Sequence, residues 1–398
     1  MRISIKLVCA AVLAISALTA SGQGLVAIQN YSGDFESDEP LTWSVGIRGG
    51  YDSLNYKVDS PFVDDFDSYY VQGGIGATFA DADPTTPWNV AVDLGMIHYL
   101  DDIPRYDDNF YNARVAFNIV HQLSERLKVS DNFYVAYESQ PNIATGATTT
   151  LYNGQYLYGF NNFNVSYAWS QRFSTTTSHT IDGISYQDDV VSGLEDRLSN
   201  LIAQQFTYAL TKRTSLSAEY RFRMTSYRHR SDVDSQSHFV LAGIDHAWSE
   251  RSSGSFRAGA EFFRSDRTNS TAPYAEMALN YKVARQTSAQ WFGALGFDGA
   301  ELGGFDSRYS LRTGLSLNHQ INKRIAVNGG AAYSYSEFDG GGIGDITEHS
   351  VSLSAGLSYS ILENVALDAR YTYSILRSDD SIREFDRNNV SLGVTASF

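Results

Sequence analysis

From Leu216 to Met224 the chain alternates without a break. Leu216, Ala218, Tyr220, Phe222 and Met224 fall on one parity; Ser217, Glu219, Arg221 and Arg223 fall on the other. A period of two puts these sets on opposite faces of a β-strand. One such strand would suit a soluble sandwich as well as a membrane barrel. Repetition and length decide between them. Val90, Val92, Leu94 and Met96 alternate with Asn89, Ala91, Asp93 and Gly95. Tyr111, Ala113, Val115, Phe117 and Ile119 alternate with Asn112, Arg114, Ala116 and Asn118. Val351, Leu353, Ala355, Leu357 and Tyr359 oppose a face of Ser350, Ser352, Ser354, Gly356 and Ser358. These runs reach about ten to thirteen residues, whereas ordinary strands cluster near 5–6 and a tilted membrane-crossing strand needs about 9–11. In hydrocarbon every backbone N–H and C=O must be satisfied within the protein, and strands achieve that only in a closed barrel.

The connections between runs also alternate. Short ones fall near Asp81–Pro87, Thr211–Arg213, Ala284–Thr287, Gln320–Arg324 and Leu362–Asn364. Longer, acidic or glycine-rich ones fall near Ser53–Ser68, Leu100–Asp108, Ser139–Gln155, Asp182–Asp196, Phe338–Thr347 and Ser378–Asp386. Short periplasmic turns and long extracellular loops have this asymmetry. The expected fold is an all-β, antiparallel up-and-down transmembrane barrel of about 18 strands, about 16 being the alternative count, starting near Leu41. Three places resist. Leu194, Leu198, Leu201 and Ile202 also suit a helix. Phe173–Tyr186 is threonine-rich and poorly patterned. Asp131 falls on the lipid parity, which calls for a late strand start or a bulge.

The N-terminus reads as a secretory signal over residues 1–22. Arg2 and Lys6 precede an apolar stretch from Leu7 to Leu18, and Ala20-Ser21-Gly22 offers small residues for cleavage. An uncleaved anchor is the rival reading. Residues 23–40 form a short periplasmic lead-in, and the barrel occupies 41–398. The single cysteine, Cys9, lies inside the signal, so the mature chain has no thiol for disulfides, zinc or iron–sulfur clusters. The net charge of −15 becomes −17 once Arg2 and Lys6 leave with the signal. That balance excludes nucleic acid as a partner. Tyr 26 and Phe 22 against Pro 7 further favour strands.

Charges on the inward parity are the candidate pore lining: Arg48, Asp93, Arg114, Glu219, Arg221, Arg223, Glu261, Arg312, Asp368 and Arg370. A charge facing lipid costs about 2–4 kcal/mol at the midplane, which assigns these to the lumen. They either select solutes by charge or fill the barrel with salt bridges. Trp43, Trp88, Tyr99, Trp169, Trp248, Tyr281, Trp291, Tyr333, Tyr335, Tyr359, Tyr371 and Tyr373 are candidates for the two aromatic girdles. The loop acids Asp52, Asp59, Asp64, Asp65, Asp67, Asp101, Asp102, Asp107, Asp108, Asp188, Asp189, Asp379 and Asp380 could meet divalent cations; a solvated loop is the plainer reading. Gly340–Asp345 has the wrong spacing for a calcium repeat. There is no G-x-S-x-G elbow and no H-E-x-x-H helix. His229 with Asp232, Asp234 and His238 is the one acid–histidine grouping, read as a solvated loop. No enzyme activity and no cofactor are expected.

The last run, Val390, Leu392, Val394, Ala396 and Phe398, resembles the C-terminal recognition strand of bacterial outer-membrane proteins, whose barrel assembly machinery reads a terminal Phe. With it, the segments Ser130–Tyr137, Ser215–Phe222 and Val365–Tyr373 make the chain from Leu41 to Phe398 resemble the family of outer-membrane β-barrel porins. The resemblance implies a Gram-negative outer-membrane location, lipid around the barrel, and passive diffusion of small hydrophilic solutes. A non-conducting structural or surface-interaction barrel is the alternative, and an outer-membrane enzyme a remote one. The resemblance carries no site residues. The acidic loops imply a weak cation preference that fades with salt.

Overall fold

The computed structural model describes residues 40–58, 65–81, 83–103, 108–138, 155–187, 192–193, 195–284, 286–298, 305, 307–340 and 344–398. The expected signal and all of the lead-in except Pro40 lie outside them. Eighteen strands follow one another: β1 (Leu41–Tyr56), β2 (Phe66–Asp81), β3 (Trp88–Tyr99), β4 (Asn109–Gln122), β5 (Leu127–Glu138), β6 (Tyr156–Ala168), β7 (Phe173–Tyr186), β8 (Arg197–Ala209), β9 (Thr214–Tyr227), β10 (Ser235–Ser249), β11 (Ser252–Ser265), β12 (Asn269–Ala284), β13 (Thr287–Asp298), β14 (Ser307–Gln320), β15 (Ile325–Asp339), β16 (Ile346–Ser360), β17 (Val365–Ser378) and β18 (Phe385–Ser397). Each pairs antiparallel with the strands before and after it, and β18 pairs back onto β1. Every described strand belongs to this one closed sheet, so no described strand is left to fill the lumen.

Closure runs through the chain ends. Trp43 and Phe398 exchange backbone hydrogen bonds of 2.8 Å in both directions, and their rings stack at 4.4 Å. The terminal Phe thus completes the ladder at the seam. Register fixes the barrel's size. Directly paired residues step from Ser44 through Gly76, Asp93, Arg114, Ala136, Tyr158, Ile184 and Arg197 to Tyr227, from one end of β1 to the opposite end of β9. Continued around the ring, this stagger amounts to about 22 residues, which gives a strand tilt near 40° and a backbone radius of about 17 Å.

Connections of two to six residues lie at the end that holds both termini, here the turn end; most of those at the opposite, loop end are longer. Six of the turns share one local device, among them that between β2 and β3, at Asp83, and that between β10 and β11, at Ser249. Ser124, Ser170, Thr211 and Asn322 each accept a backbone N–H two residues on, from Arg126, Arg172, Arg213 and Arg324 respectively. Such side-chain turns favour a tight reversal.

Parity separates the faces. Leu216, Tyr220 and Met224 are exposed on the outside, while Ser217, Glu219 and Arg221 are buried on the inside. Leu198, Leu201 and Ile202 of the first resistant place, and the whole of the other two, lie in strand; Leu194 lies outside the described residues. The i, i+4 spacing of Leu198, Ile202 and Phe206 mimics a helix, but four is also a multiple of two, and all three face outward on β8. Phe173–Tyr186 is continuous strand paired on both sides. The register at Asp131 is unbroken, so neither a bulge nor a late start occurs. Asp131 stays on the outer face and takes a 2.9 Å hydrogen bond from Asn161 of the next strand. Tyr99 does not belong to a girdle: it points inward, 4% exposed.

Candidate functional site: the lumen wall

All ten candidate charges sit on inward positions of their strands, but the structure divides them. Glu219, Arg221, Glu261 and Arg312 are buried, Arg114, Arg223, Arg48 and Asp368 are half-buried, and Asp93 and Arg370 are exposed.

Glu219 and Arg221 belong to a connected layer on β9–β12; Glu261 borders it on β11, and Arg312 lies apart on β14. Arg221 holds Glu219 at 2.7 Å, two residues along the same strand face, and Glu276 at 2.8 Å from β12. The Tyr274 hydroxyl donates to Glu276 at 2.8 Å. Arg257 reaches Glu219 at 3.5 Å and Asp245 at 3.2 Å. It reaches them because position 243 is glycine: a Cβ there would meet Arg257 Cγ at 2.7 Å. Arg223 lies over the Phe239 ring, 5.2 Å from its centroid. Glu261 accepts the Phe297 N–H at 2.9 Å, where β12 and β13 have parted. Glu276, Tyr274, Arg257 and Asp245 carried no signal that could join them to Glu219 and Arg221, since parity alone does not give register.

A second set of ion pairs rings the loop end. Arg387 grips Asp52 with two bonds of 3.0 and 2.7 Å, and Tyr99 donates to the same carboxylate at 3.0 Å. Asp52 is therefore an inward strand residue at 0% exposure, not a loop acid. Arg114 pairs with Glu138 and Arg383 with Glu348; Arg377 pairs with Asp386 on the outer face, where Tyr373 also donates to Asp386. Inward apolar side chains pack beside these pairs, notably Leu54, Phe66, Tyr70, Ile97, Phe110 and Phe385.

The wall of β15–β18 and β1 differs in its turn-end half. Its inner face is serine, glycine and asparagine, and a recess of about 450 Å³ opens there beside Arg48, Asp368 and Arg370. Thr395 donates to Asp368 at 3.0 Å. Among the described residues, no hydrogen bond or ion pair engages Arg48, Arg370 or Asp93. Asp93 stands directly opposite Arg114, yet Arg114 turns to Glu138.

The remaining motifs disperse. His238 faces outward and bonds the Tyr220 hydroxyl, Asp232 pairs with Arg267, and Asp234 accepts the Tyr227 N–H. The acid–histidine grouping is thus no site. Of the loop acids, Asp59, Asp64, Asp107, Asp188 and Asp189 lie outside the described residues. Among the described residues no cluster of three or more His, Asp, Glu or Cys is placed to hold a metal ion.

The family model described as "Putative beta-barrel porin 2" matches residues 102–398, and one described as a protein of unknown function, DUF481, matches 27–157. The chain belongs to the first of these families. It is an outer-membrane barrel of the porin type. No curated protein matches it in sequence. Solved structures similar to it include Pseudomonas aeruginosa OccK9 (OpdG), with 10% identity, TM-score 0.48, and 90% and 98% of the two chains covered. The P. aeruginosa OccK2 (OpdF) complex with glucuronate aligns at 11% identity and TM-score 0.48, covering 90% and 98%. A BenF-like porin from Pseudomonas fluorescens Pf-5 aligns at 12% and 0.47, covering 90% and 99%.

Proposed function

We propose that small hydrophilic solutes cross this channel along the recess-bearing wall, past Arg48, Asp93, Asp368 and Arg370. The closed ring of eighteen strands carries the reading: about 16–18 strands leave an aqueous channel, whereas about eight are filled by side chains. Arg114 flanks this path beside Asp93, and Glu219, Arg221, Arg223 and Glu261 belong to the wall across the lumen from it. Short connections at the turn end favour a periplasmic position for both termini. The reading assigns no catalytic step and no cofactor. Purified protein added to a planar bilayer is expected to give stepwise single-channel currents. A second reading, a non-conducting structural barrel, draws on the apolar cluster around Leu54, Phe66 and Tyr99 at the loop-end mouth. Absence of any current from correctly folded protein would select it.

Residues 1–22 serve in this reading as the export signal, and Phe398 as the handle for the barrel assembly machinery. Support for the latter is its place at the closing seam beside Trp43. Deleting Phe398 is expected to lower assembled protein in the outer membrane while export to the periplasm continues. Unchanged assembly would remove that role.

A further inference from the structure

The barrel's other inward arginines are engaged. Arg114, Arg221, Arg257, Arg383 and Arg387 each hold a carboxylate. Arg48 and Arg370 do not, although acids stand close by: Asp368 is two residues from Arg370 on the same face, and Glu363 borders the same recess. Two guanidinium groups left unmated in one cavity repel each other, and an arriving anion would relieve that repulsion.

The backbone brings them together. Arg48 on β1 is level with Gly393 on β18, which is level with Asp368 on β17. A Cβ at Gly393 would stand 3.1 Å from Arg48 Cβ and 3.3 Å from its Cγ, so the arginine stem crosses a strip that only glycine leaves open. On the far side, Gly356 is level with both Arg370 and Asn328. A Cβ there would meet the Asn328 amide at 2.4 Å, so that amide lies over Gly356, beside Arg370. Two glycines thus let polar groups from β1 and β15 close on Arg370 between them. Guanidinium and amide N–H groups in this number match the in-plane lone pairs of a carboxylate or phosphate. The recess, about 450 Å³, is of the size that holds a small solute. Asp368 and Glu363 at its border disfavour a second anionic group on the same solute.

We propose that this recess is a transit site for a small solute bearing one oxyanion, carboxylate or phosphate. Arg48 and Arg370 would hold the oxyanion, and Asn328 would complete the donor set. The inference rests on the channel reading, and its test separates the two. Flux into proteoliposomes is compared for three solutes with the same carbon skeleton: sorbitol, gluconate and sorbitol 6-phosphate. In the wild type at least one anion is expected to show saturable flux. In Arg48→Gln/Arg370→Gln the ratio of that anion to sorbitol is expected to fall by about tenfold, with sorbitol itself unchanged. Whether gluconate or sorbitol 6-phosphate responds identifies the oxyanion. An unchanged ratio overturns the proposal and leaves the channel standing. Should the double variant not assemble, Ser358→Asp places a negative charge in the recess and is expected to lower the same ratio. If sorbitol does not cross even the wild type, the channel reading fails. The recess is then judged in detergent by saturation transfer from protein to gluconate and to sorbitol 6-phosphate. Transfer lost in the double variant upholds the site, and no transfer in the wild type refutes it.

Discussion

Eight strands lie between β1 and β10 on either side of a ring of eighteen, so the layer on β9–β12 and the recess beside β17 and β1 face each other across the lumen. Both walls carry arginines and acids on inward positions. On β9–β12 the register sets Arg221 between Glu219 and Glu276, and Arg257 between Glu219 and Asp245, and all but Asp245 lose contact with water. On the recess wall Gly393 stands between Arg48 and Asp368, no ion pair forms, and the charges stay wet. Identical residue types thus become wall material on one side and a solute-facing surface on the other. A charge with lumen parity is not by itself a filter.

The largest test of this contrast is stability. Arg221→Met leaves two carboxylates, Glu219 and Glu276, buried around a lost cation. Breaking a buried pair in this way costs about 3–5 kcal/mol. Arg370→Met removes a cation with no bonded partner, and the expected change stays within about 0.5 kcal/mol. Urea titration of the barrel folded in lipid vesicles measures both. Equal losses would show that the walls do not differ.

Side-chain insertion probes the same contrast at a smaller scale. Leu353, central on β16, faces outward, and Leu353→Arg is expected to cost about 2–4 kcal/mol in a bilayer. Its neighbour Ser354 is exposed to the lumen on the open side, and Ser354→Arg should be tolerated within about 0.5 kcal/mol. Ser217 is also inward but lies under the mated layer, only 8% exposed. Ser217→Arg should cost about 1–3 kcal/mol through overpacking. If Ser217 and Ser354 tolerate arginine equally, the β9–β12 wall is looser than its burial implies.

The faces of this barrel were legible in the sequence, because parity is local: Leu353 and Ser354 are assigned by their neighbours alone. The pairings were not. Arg221 meets Glu276 from fifty-five positions away and Arg387 meets Asp52 from 335, distances fixed by the stagger of the ring. Tyr99 reads as a girdle residue from its place near a strand end, yet its parity shares the face of Asp93 and it turns to Asp52. Asp131 broke the lipid rule outright, and the partner that makes this tolerable, Asn161, lies beyond a long loop. The recess was missed for the same reason. Arg48 and Arg370 each stood among the candidates, but their meeting depends on closure of β18 onto β1.

Ion selectivity should follow the wet wall and ignore the mated one. Arg221 and Arg223 are inward charges like Arg48 and Arg370, but Arg221 is buried in its ion pairs, so the solute-facing role falls to Arg48 and Arg370. Arg48→Gln/Arg370→Gln should move the reversal potential across a salt gradient toward cations. The charge-balanced swap Arg221→Met/Glu276→Leu should leave it unmoved. Neutralising the exposed loop acids Asp65, Asp101 and Asp102 should move it toward anions. That last shift should shrink as salt rises, because the loop field reaches only about 10 Å at 0.1 M. A shift from the swap as large as that from the Arg48/Arg370 pair would place the conduction path along β9–β12 instead.

The smallest effect lies off both walls, at the turn between β2 and β3, and gives a baseline for pH. Asp83 is fully exposed and accepts hydrogen bonds from the Thr85 hydroxyl and from the Thr85 and Thr86 backbones, the latter two at 2.7 and 2.9 Å. The Thr85 hydroxyl bond, then the backbone bonds, hold its carboxyl below the usual carboxylate range. A folded value below the unfolded one means that the stabilisation is present above the unfolded pKa, about 3.9. It is lost as the pH falls through the folded value. Asp83→Asn should therefore lower the unfolding midpoint slightly at pH 7, and the two proteins should converge as the pH drops below about 4. Water screens this carboxylate, so the difference should be smaller than any change on the mated wall. A gap that persisted in acid would show that the substituted amide fails for its shape, not its charge.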